Sequence, residues 1–517
     1  MVERFSYDTL PYPSKFFLQT FPDRLAAAAI LYGIEPASVE NCRVLELGCG
    51  NGSNLIAQAY GLPHSQFVGV DLSQIHIDLA KRSAAELDIN NVEFRQLDVM
   101  NMTREEFGEF DYIIAHGLFA WVSEIVRGKV LTIFAEMLAS NGIGYISYNA
   151  YPGAYSREMV RSILRFHTDG VQDPNEKVRS AIQLLTFLNN NTADRDAYAQ
   201  ILRSEQKRHS EHPAADIYHD DLGDVYQPFY FYEFAKLLDE NRLKFLSEAE
   251  LHASSRQGFS EEVLTFLDSF DSRESVEQHL DFLRGRVFRQ TLFCRKEQRL
   301  NETPDPATLD RLYLSSALMP IEDVDIASTT IGKFRSSKGQ QIQIDHPLTK
   351  SALAHLGEIW GRSISGRDLL NTAMKKLIEA GFNDDDRLEQ FETTRSILLQ
   401  IALASDMIEI HAYASDAATK ASFKPKVDRL ARWQLASANN VLTRLNKDLK
   451  LNDLTSRHLL ELMDGTRSQV ELERDLRPYI RSVTDLDDEA RRELLDTLKT
   501  WIDTSITELA RLGLFES

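Results

Sequence analysis

The 517-residue chain has little cysteine: Cys42, Cys49 and Cys294 are its only three, and no two of them form a C-x-x-C pair. Three thiols cannot make a disulfide framework, and without a C-x-x-C pair they show no metal-site pattern, so a reducing cytoplasm is the expected setting. Basic charge is also short. Lysine and arginine number 58 against 78 acidic residues, a net charge of −20. A protein that grips nucleic acid needs a basic face to neutralise phosphates, so nucleic acid is not an expected partner. Long apolar runs are missing too. The most apolar helical stretch, residues 25–34, is too short to cross a bilayer, and residues 1–5 carry no basic start to a signal sequence. Neither membrane insertion nor secretion is expected. The acidic balance suits a cationic partner, including a lysine-rich protein surface.

What is present begins at residue 44. Val44-Leu45-Glu46-Leu47 reads as an apolar strand, Gly48-Cys49-Gly50-Asn51-Gly52 as a glycine turn, and Ser53-Asn54 as the opening of a helix. A second strand, residues 67–71, ends in Asp71 and Leu72. A third, residues 92–97, ends in Asp98 and Val99, and a fourth, residues 111–115, ends in His116 and Gly117. Short strands alternating with helical segments, each delivering a polar residue at its C-terminal end, predict a doubly wound sheet with a switch-point site.

A dinucleotide site wants a third glycine, so that a pyrophosphate can sit on the helix N-terminus. Here the spacing is Gly48, Gly50, Gly52 and then Asn54. S-adenosylmethionine has no phosphate and needs only close backbone approach, which favours that cofactor and hence methyl transfer. The expected cofactor residues are Glu46, Gly48, Cys49, Gly50, Asn51, Asn54, Asp71, Leu72, Asp98, Val99 and His116. In that set Asp71 is expected to take the ribose hydroxyls and Asp98 the adenine amino group.

The length calls for several domains. Residues 1–149 read as the cofactor-binding core, with a lid-like segment before the first strand. Residues 150–227 read as a helical insertion serving substrate binding or dimerisation, and 228–298 as the return of the sheet, closing it at seven strands. The stretch 299–345 reads as a linker, and 346–425 and 426–517 as two mainly helical, winged-helix-like domains.

Methyl transfer is an in-line displacement that needs an aligned, unprotonated nucleophile and little water. The acceptor side is therefore expected after the fourth and fifth strands and in the insertion. The candidates are His116, Tyr148, Asn149, Tyr151 and His219, with Trp121 and a tyrosine group (Tyr218, Tyr226, Tyr230, Tyr232) able to hold an ammonium by its faces. His209, His212, Asp216, His219 and Asp220 resemble a metal cluster in composition, but their spacing fits no recognised site, so no metal is expected. Asp384-Asp385-Asp386 reads as a solvated charge run.

Several of these motifs together resemble class I methyltransferases that bear a methyltransferase regulatory domain. The resemblance is carried by Leu45-Glu46-Leu47-Gly48-Cys49-Gly50, by Ala115-His116-Gly117 with Trp121, and by Ser147-Tyr148-Asn149 with Tyr151-Pro152-Gly153. Pro11-Tyr12-Pro13, Pro22-Asp23-Arg24-Leu25, Phe288-Arg289-Gln290-Thr291-Leu292, Leu430-Ala431-Arg432-Trp433-Gln434 and Asp464-Gly465-Thr466-Arg467 are similar as well. It extends to rickettsial-type protein lysine methyltransferases. What it implies is a Rossmann-like α/β sheet, S-adenosylmethionine as cofactor, and N-methylation of lysines in a protein, an outer-membrane protein among them, by a homodimer. Two other expectations compete with lysine: a small-molecule methyltransferase, and a non-catalytic protein that senses the cofactor.

Overall fold

A computed structural model describes residues 10, 12, 15–192, 196–383, 387–414, 420–436 and 439–516. Pro11, Pro13, Ser14 and the run at 384–386 lie outside the described residues. The chain divides into two units, Met1–Glu302 and Thr303–Ser517.

Among the described residues the first unit holds seven strands: β1 (Arg43–Leu47), β2 (Gln66–Asp71), β3 (Val92–Gln96), β4 (Phe110–Ala115), β5 (Leu138–Asn149), β6 (Leu243–Glu248) and β7 (Phe288–Arg295). Their order is β3-β2-β1-β4-β5-β7-β6. The first five run parallel, while β7 is antiparallel to both β5 and β6. The order reverses between β1 and β4, so the strand ends there open a crevice in which no helix crosses. β1 and β4 are buried over nearly their whole length, as strands covered on both faces must be. β5 is the longest strand of the sheet, because Leu138 already pairs with Phe110 ahead of the apolar run at 143–148.

Twelve helices belong to this unit among the described residues: α1 (Pro22–Leu31), α2 (Ser53–Gly61), α3 (Gln74–Glu86), α4 (Arg104–Phe107), α5 (Glu124–Met137), α6 (Ala154–His167), α7 (Pro174–Asn191), α8 (Ala197–Glu211), α9 (Ala214–Leu222), α10 (Phe231–Glu240), α11 (Glu261–Asp268) and α12 (Arg273–Arg284). Proline at the first position starts α1, where its missing N–H costs nothing. The four helices α6 to α9 pack on a core of their own that includes Val160, Leu164, Leu185, Leu202 and Ile217.

The returning part of the sheet is held by a buried ion network. Arg289 on β7 is fully buried and bonds Glu248 of β6 at 2.7 Å, and Glu277 and Asp281 of α12 at 2.9 and 2.8 Å. Its guanidinium also lies 4.0 Å from the Phe231 ring centre. One cation thereby ties three elements together.

The second unit corrects the expected linker at 299–345. That stretch is folded: it supplies β8 (Tyr313–Ser315), β9 (Met319–Pro320), β10 (Gly332–Arg335) and β11 (Gln341–Ile344). Leu309, Leu312, Leu314 and Leu318 are buried. Lys350 of α13 (Pro347–Glu358) donates to the carbonyls of Asp325, Ser328 and Thr330 at 2.6 to 2.7 Å. Short strands with scattered leucines carry no long period, which is why the pattern read as a connection. The rest comprises β12 (Ile364–Ser365), α14 (Gly366–Glu379), α15 (Arg387–Ala404), β13 (Glu409–His411), α16 (Arg429–Leu435), the hairpin β14 (Asn440–Leu442) and β15 (Asp448–Lys450), and α17 (Leu454–Leu462), α18 (Gln469–Ser482) and α19 (Asp488–Arg511). Residues 427–515 share one core built around Val427, Leu459, Leu476, Leu498 and Phe515.

Candidate active site

The glycine turn forms as its spacing requires. Gly48, Gly50 and Gly52 have φ of +71°, +53° and +74°, which side chains rarely adopt. A Cβ on Gly50 would meet nothing within 4 Å, whereas one on Gly52 would lie 2.6 Å from the Phe94 ring. Gly50 therefore faces open space and Gly52 faces the fold. Asp71 braces the turn, its Oδ2 accepting from Gly50 N–H at 2.8 Å and its Oδ1 from Ser73 N–H at 2.9 Å. Asn51 accepts from the Ser53 hydroxyl at 2.8 Å and so shapes the start of α2. Burial pushes the Cys49 thiol well up, so it stays protonated.

Glu46 lies beneath the turn with 3% of its surface exposed. Asn54 donates to its Oε1 at 2.7 Å, and its Oε2 is buried with no partner among the described residues. Burial raises its pKa to about 8, opposed by the Asn54 hydrogen bond. An orphaned carboxylate oxygen beside open backbone is what the ammonium end of an amino-acid ligand would satisfy. Further along the same edge the surface is unusually apolar: Leu72, Ile75 and Met100 are 45, 42 and 39% exposed. Asp98 caps the turn Val99–Asn101 by accepting from Met100 N–H at 2.9 Å. A flat ring set on Leu72 and Met100, edged by Asp98, fits this end. The residues present thus fit S-adenosylmethionine: Glu46 at the amino-acid end, Asp71 in the middle and Asp98 at the base.

On the side where the acceptor is expected, the aromatic cluster centres on His116. Its Nδ1 shares a hydrogen bond of 2.8 Å with the Tyr145 hydroxyl. Its ring lies 3.8 Å from Phe17, centre to centre, and edge-on to Phe288 at 6.2 Å. Burial, with the Lys15 charge adding to it, lowers the His116 pKa to about 3. Gly117 N–H donates to Ser147 Oγ at 2.8 Å. Asn149 lies two residues beyond Ser147 on the same face of β5, buried, with Oδ1 unpartnered among the described residues. Tyr145, Ser147 and Asn149 line one face because side chains alternate along a strand.

That alternation corrects the placement of Tyr148. It points to the other face, stacks on Phe234 at 4.3 Å and belongs to the main apolar core, 1% exposed. His219 is a second correction. Its Nε2–H donates to the Leu10 carbonyl at 2.6 Å, and burial lowers its pKa. It fastens Leu10 to the insertion. Tyr151 lies past β5 among other tyrosines: it stacks on Tyr155 at 4.2 Å, lies 5.1 Å from Tyr230, and donates to Glu158 at 2.9 Å. Tyr226 packs on Trp121 at 5.1 Å, with Arg161 over its ring. A cavity of about 390 Å³ opens beside Phe288, but Arg284 and Arg286 on its wall make it a poor route for a cation.

Residues that the sequence reading passed over complete the site. Phe17 N–H donates to Asn54 Oδ1 at 2.9 Å, and Thr20 bonds Asn54 and Gln58. Phe17 and Thr20, just before α1, therefore lie against the glycine turn, with Phe17 on His116. Tyr145 could have been found from its i, i+2 spacing to Ser147. Among the described residues, Glu205, His209 and Asp221 bring ligand-type atoms within 4.8 Å of one another. Arg208 bonds both oxygens of Asp221 at 2.7 Å and Arg157 adds 3.2 Å, so the trio is already part of an ion-pair network.

A methyltransferase domain matches residues 38–198, a predicted methyltransferase regulatory domain residues 213–295, and a PKMT C-terminal winged helix domain residues 424–514. PKMT2 from Rickettsia typhi, solved in complex with AdoHcy, is 27% identical with a TM-score of 0.84, over 98% of this chain and 100% of that one. An uncharacterized protein of Rickettsia prowazekii is 34% identical over 244 residues, 47% of this chain and 97% of its own. A second from that organism is 29% identical over 385 residues, 73% of this chain and 69% of its own.

Proposed function

The chain belongs to the class I S-adenosylmethionine-dependent methyltransferases that carry a methyltransferase regulatory domain, and from that premise we propose that it N-methylates lysine side chains of a protein. The observation that carries lysine is the full-length similarity to a PKMT, together with the PKMT-type winged helix domain at residues 424–514.

Bound at the turn, the cofactor supplies a methyl group on a cationic sulfur. This chain's residues hold it and shape the approach. Glu46 and Asp71 fix the two ends of its amino acid and ribose, and Phe17 and Phe288 wall the acceptor mouth against water. His116, held neutral, adds no positive charge where a cation must bind. It is also too weak a base to take a proton from an ammonium, so the acceptor amine loses its proton to solvent before reacting. Tyr145 and Asn149 offer hydrogen-bonding atoms to orient that amine.

An acceptor protein with accessible lysines, an outer-membrane protein as the class the resemblance implies, a cytoplasmic setting and a homodimer complete the proposal. Among the described residues no helix is long and apolar enough to cross a membrane. The test is transfer of a labelled methyl group to proteins of a cell extract, with and without prior acetylation of their lysines. Labelling that acetylation abolishes supports the reading; labelling that survives it refutes lysine as the acceptor.

A further inference from the structure

Asp216 on α9 reaches from the insertion to Lys15 with one oxygen to spare. It is 2% exposed, its Oδ2 lies 2.6 Å from Lys15 Nζ, and its Oδ1 is buried without a partner among the described residues. The Tyr12 ring centre lies 4.9 Å from the same ammonium, and His212 Nδ1 lies 3.3 Å from the same Oδ2. A buried carboxylate and an aromatic face around one ammonium are how proteins recognise a lysine side chain.

The location is as telling as the chemistry. Phe17 follows Lys15 by two residues, lies on His116 and bonds Asn54 of the cofactor turn. Two residues span at most about 7 Å of chain. The Lys15 ammonium is thus held beside the acceptor mouth, close enough for its charge to bear on His116.

We propose that Asp216 receives the ammonium of the incoming lysine, and that Lys15 occupies this place in the resting chain as a tethered stand-in for substrate. The inference rests on the lysine reading above and deepens it. Entry of substrate requires the segment around Lys15 to release Asp216, and a tethered ammonium competes at an effective concentration on the order of millimolar. Proteins presenting lysines densely would displace it best.

The test uses the full chain saturated with AdoHcy and a fluorescent ten-residue glycine–serine peptide carrying one lysine, read by anisotropy. Lys15→Met should bind the peptide about 10-fold tighter than the parent, the effect of removing an internal competitor. Lys15→Arg should behave as the parent. Asp216→Asn, alone or added to Lys15→Met, should bind it no better than the parent. A norleucine peptide should bind none of them. AdoHcy affinity should stay unchanged throughout, which certifies the fold of each variant. Equal peptide affinity in the parent and Lys15→Met, or affinity in Lys15→Met that survives Asp216→Asn, overturns the proposal. A peptide that binds through Asp216 yet takes no methyl from S-adenosylmethionine supports the ammonium site and refutes lysine transfer.

Discussion

Single residues at the glycine turn divide by what their Cβ would meet. Gly50→Ala puts a methyl group into open space at φ +53°, a cost of about 1 kcal/mol. It should leave the fold intact and abolish AdoHcy binding by occupying the ligand's volume. Gly52→Ala drives a methyl to 2.6 Å from Phe94 and 2.8 Å from Ala80, and should destabilise the fold itself. Thermal melting and calorimetry on both variants separate these outcomes. Glu46 gives a proton readout. With its pKa near 8 it is mostly protonated at pH 7 in the free protein, and an adjacent ammonium would ionise it. AdoHcy binding should then release close to one proton at pH 7, none in Glu46→Gln, and affinity should rise with pH toward 8. Calorimetry in buffers of different ionisation heat measures this. His116 titrates far below neutrality, so log kcat/KM should climb about one per pH unit from 7 to 9, toward the lysine value of about 10.4, with no histidine limb. The same depression means the unfolded chain binds a proton that the fold refuses between pH 6.5 and about 3, so His116 lowers stability across that window as pH falls.

At the level of elements, the β6–β7–α12 corner depends on Arg289. Removing it leaves Glu248, Glu277 and Asp281 buried without their shared cation. Arg289→Ala should cost about 3–5 kcal/mol and lower the melting of the first unit by about 10 °C, seen by calorimetry. This corner also shows what the sequence can and cannot convey. The strands at 43–47, 66–71 and 110–115 were legible to within a residue because each apolar run closes on a glycine turn, an aspartate or His116-Gly117. The arginine's partners were not, since they come from positions 41, 12 and 8 residues away in sequence. Tyr148 was misplaced for the opposite reason: composition marks it as functional, and only the parity of β5 shows that it faces the core. His219 and Lys15 became readable only once residues 209 and 201 positions apart were seen together. Short strands between 313 and 344 left no periodic trace, so a folded region read as a linker.

For the molecule as a whole, the net charge of −20 is the property that reaches furthest. On the proposed lysine reading it would attract a lysine-rich acceptor over about a Debye length, near 10 Å at 0.1 M salt. Raising salt from about 50 to 300 mM should therefore lower kcat/KM for a cationic protein several-fold, mainly through KM, and leave AdoHcy affinity nearly unchanged. Steady-state rates at matched pH check this. The central claim is that the donated methyl ends on a lysine nitrogen. It is tested most directly by incubating the purified chain with trideuteromethyl S-adenosylmethionine and cell extract, then locating the label by peptide mass spectrometry. The account predicts deuterated methyl groups on lysine Nζ of one or a few proteins, absent with Asp71→Ala. Label found only on oxygen atoms or on small molecules, with every lysine unmodified, would contradict it.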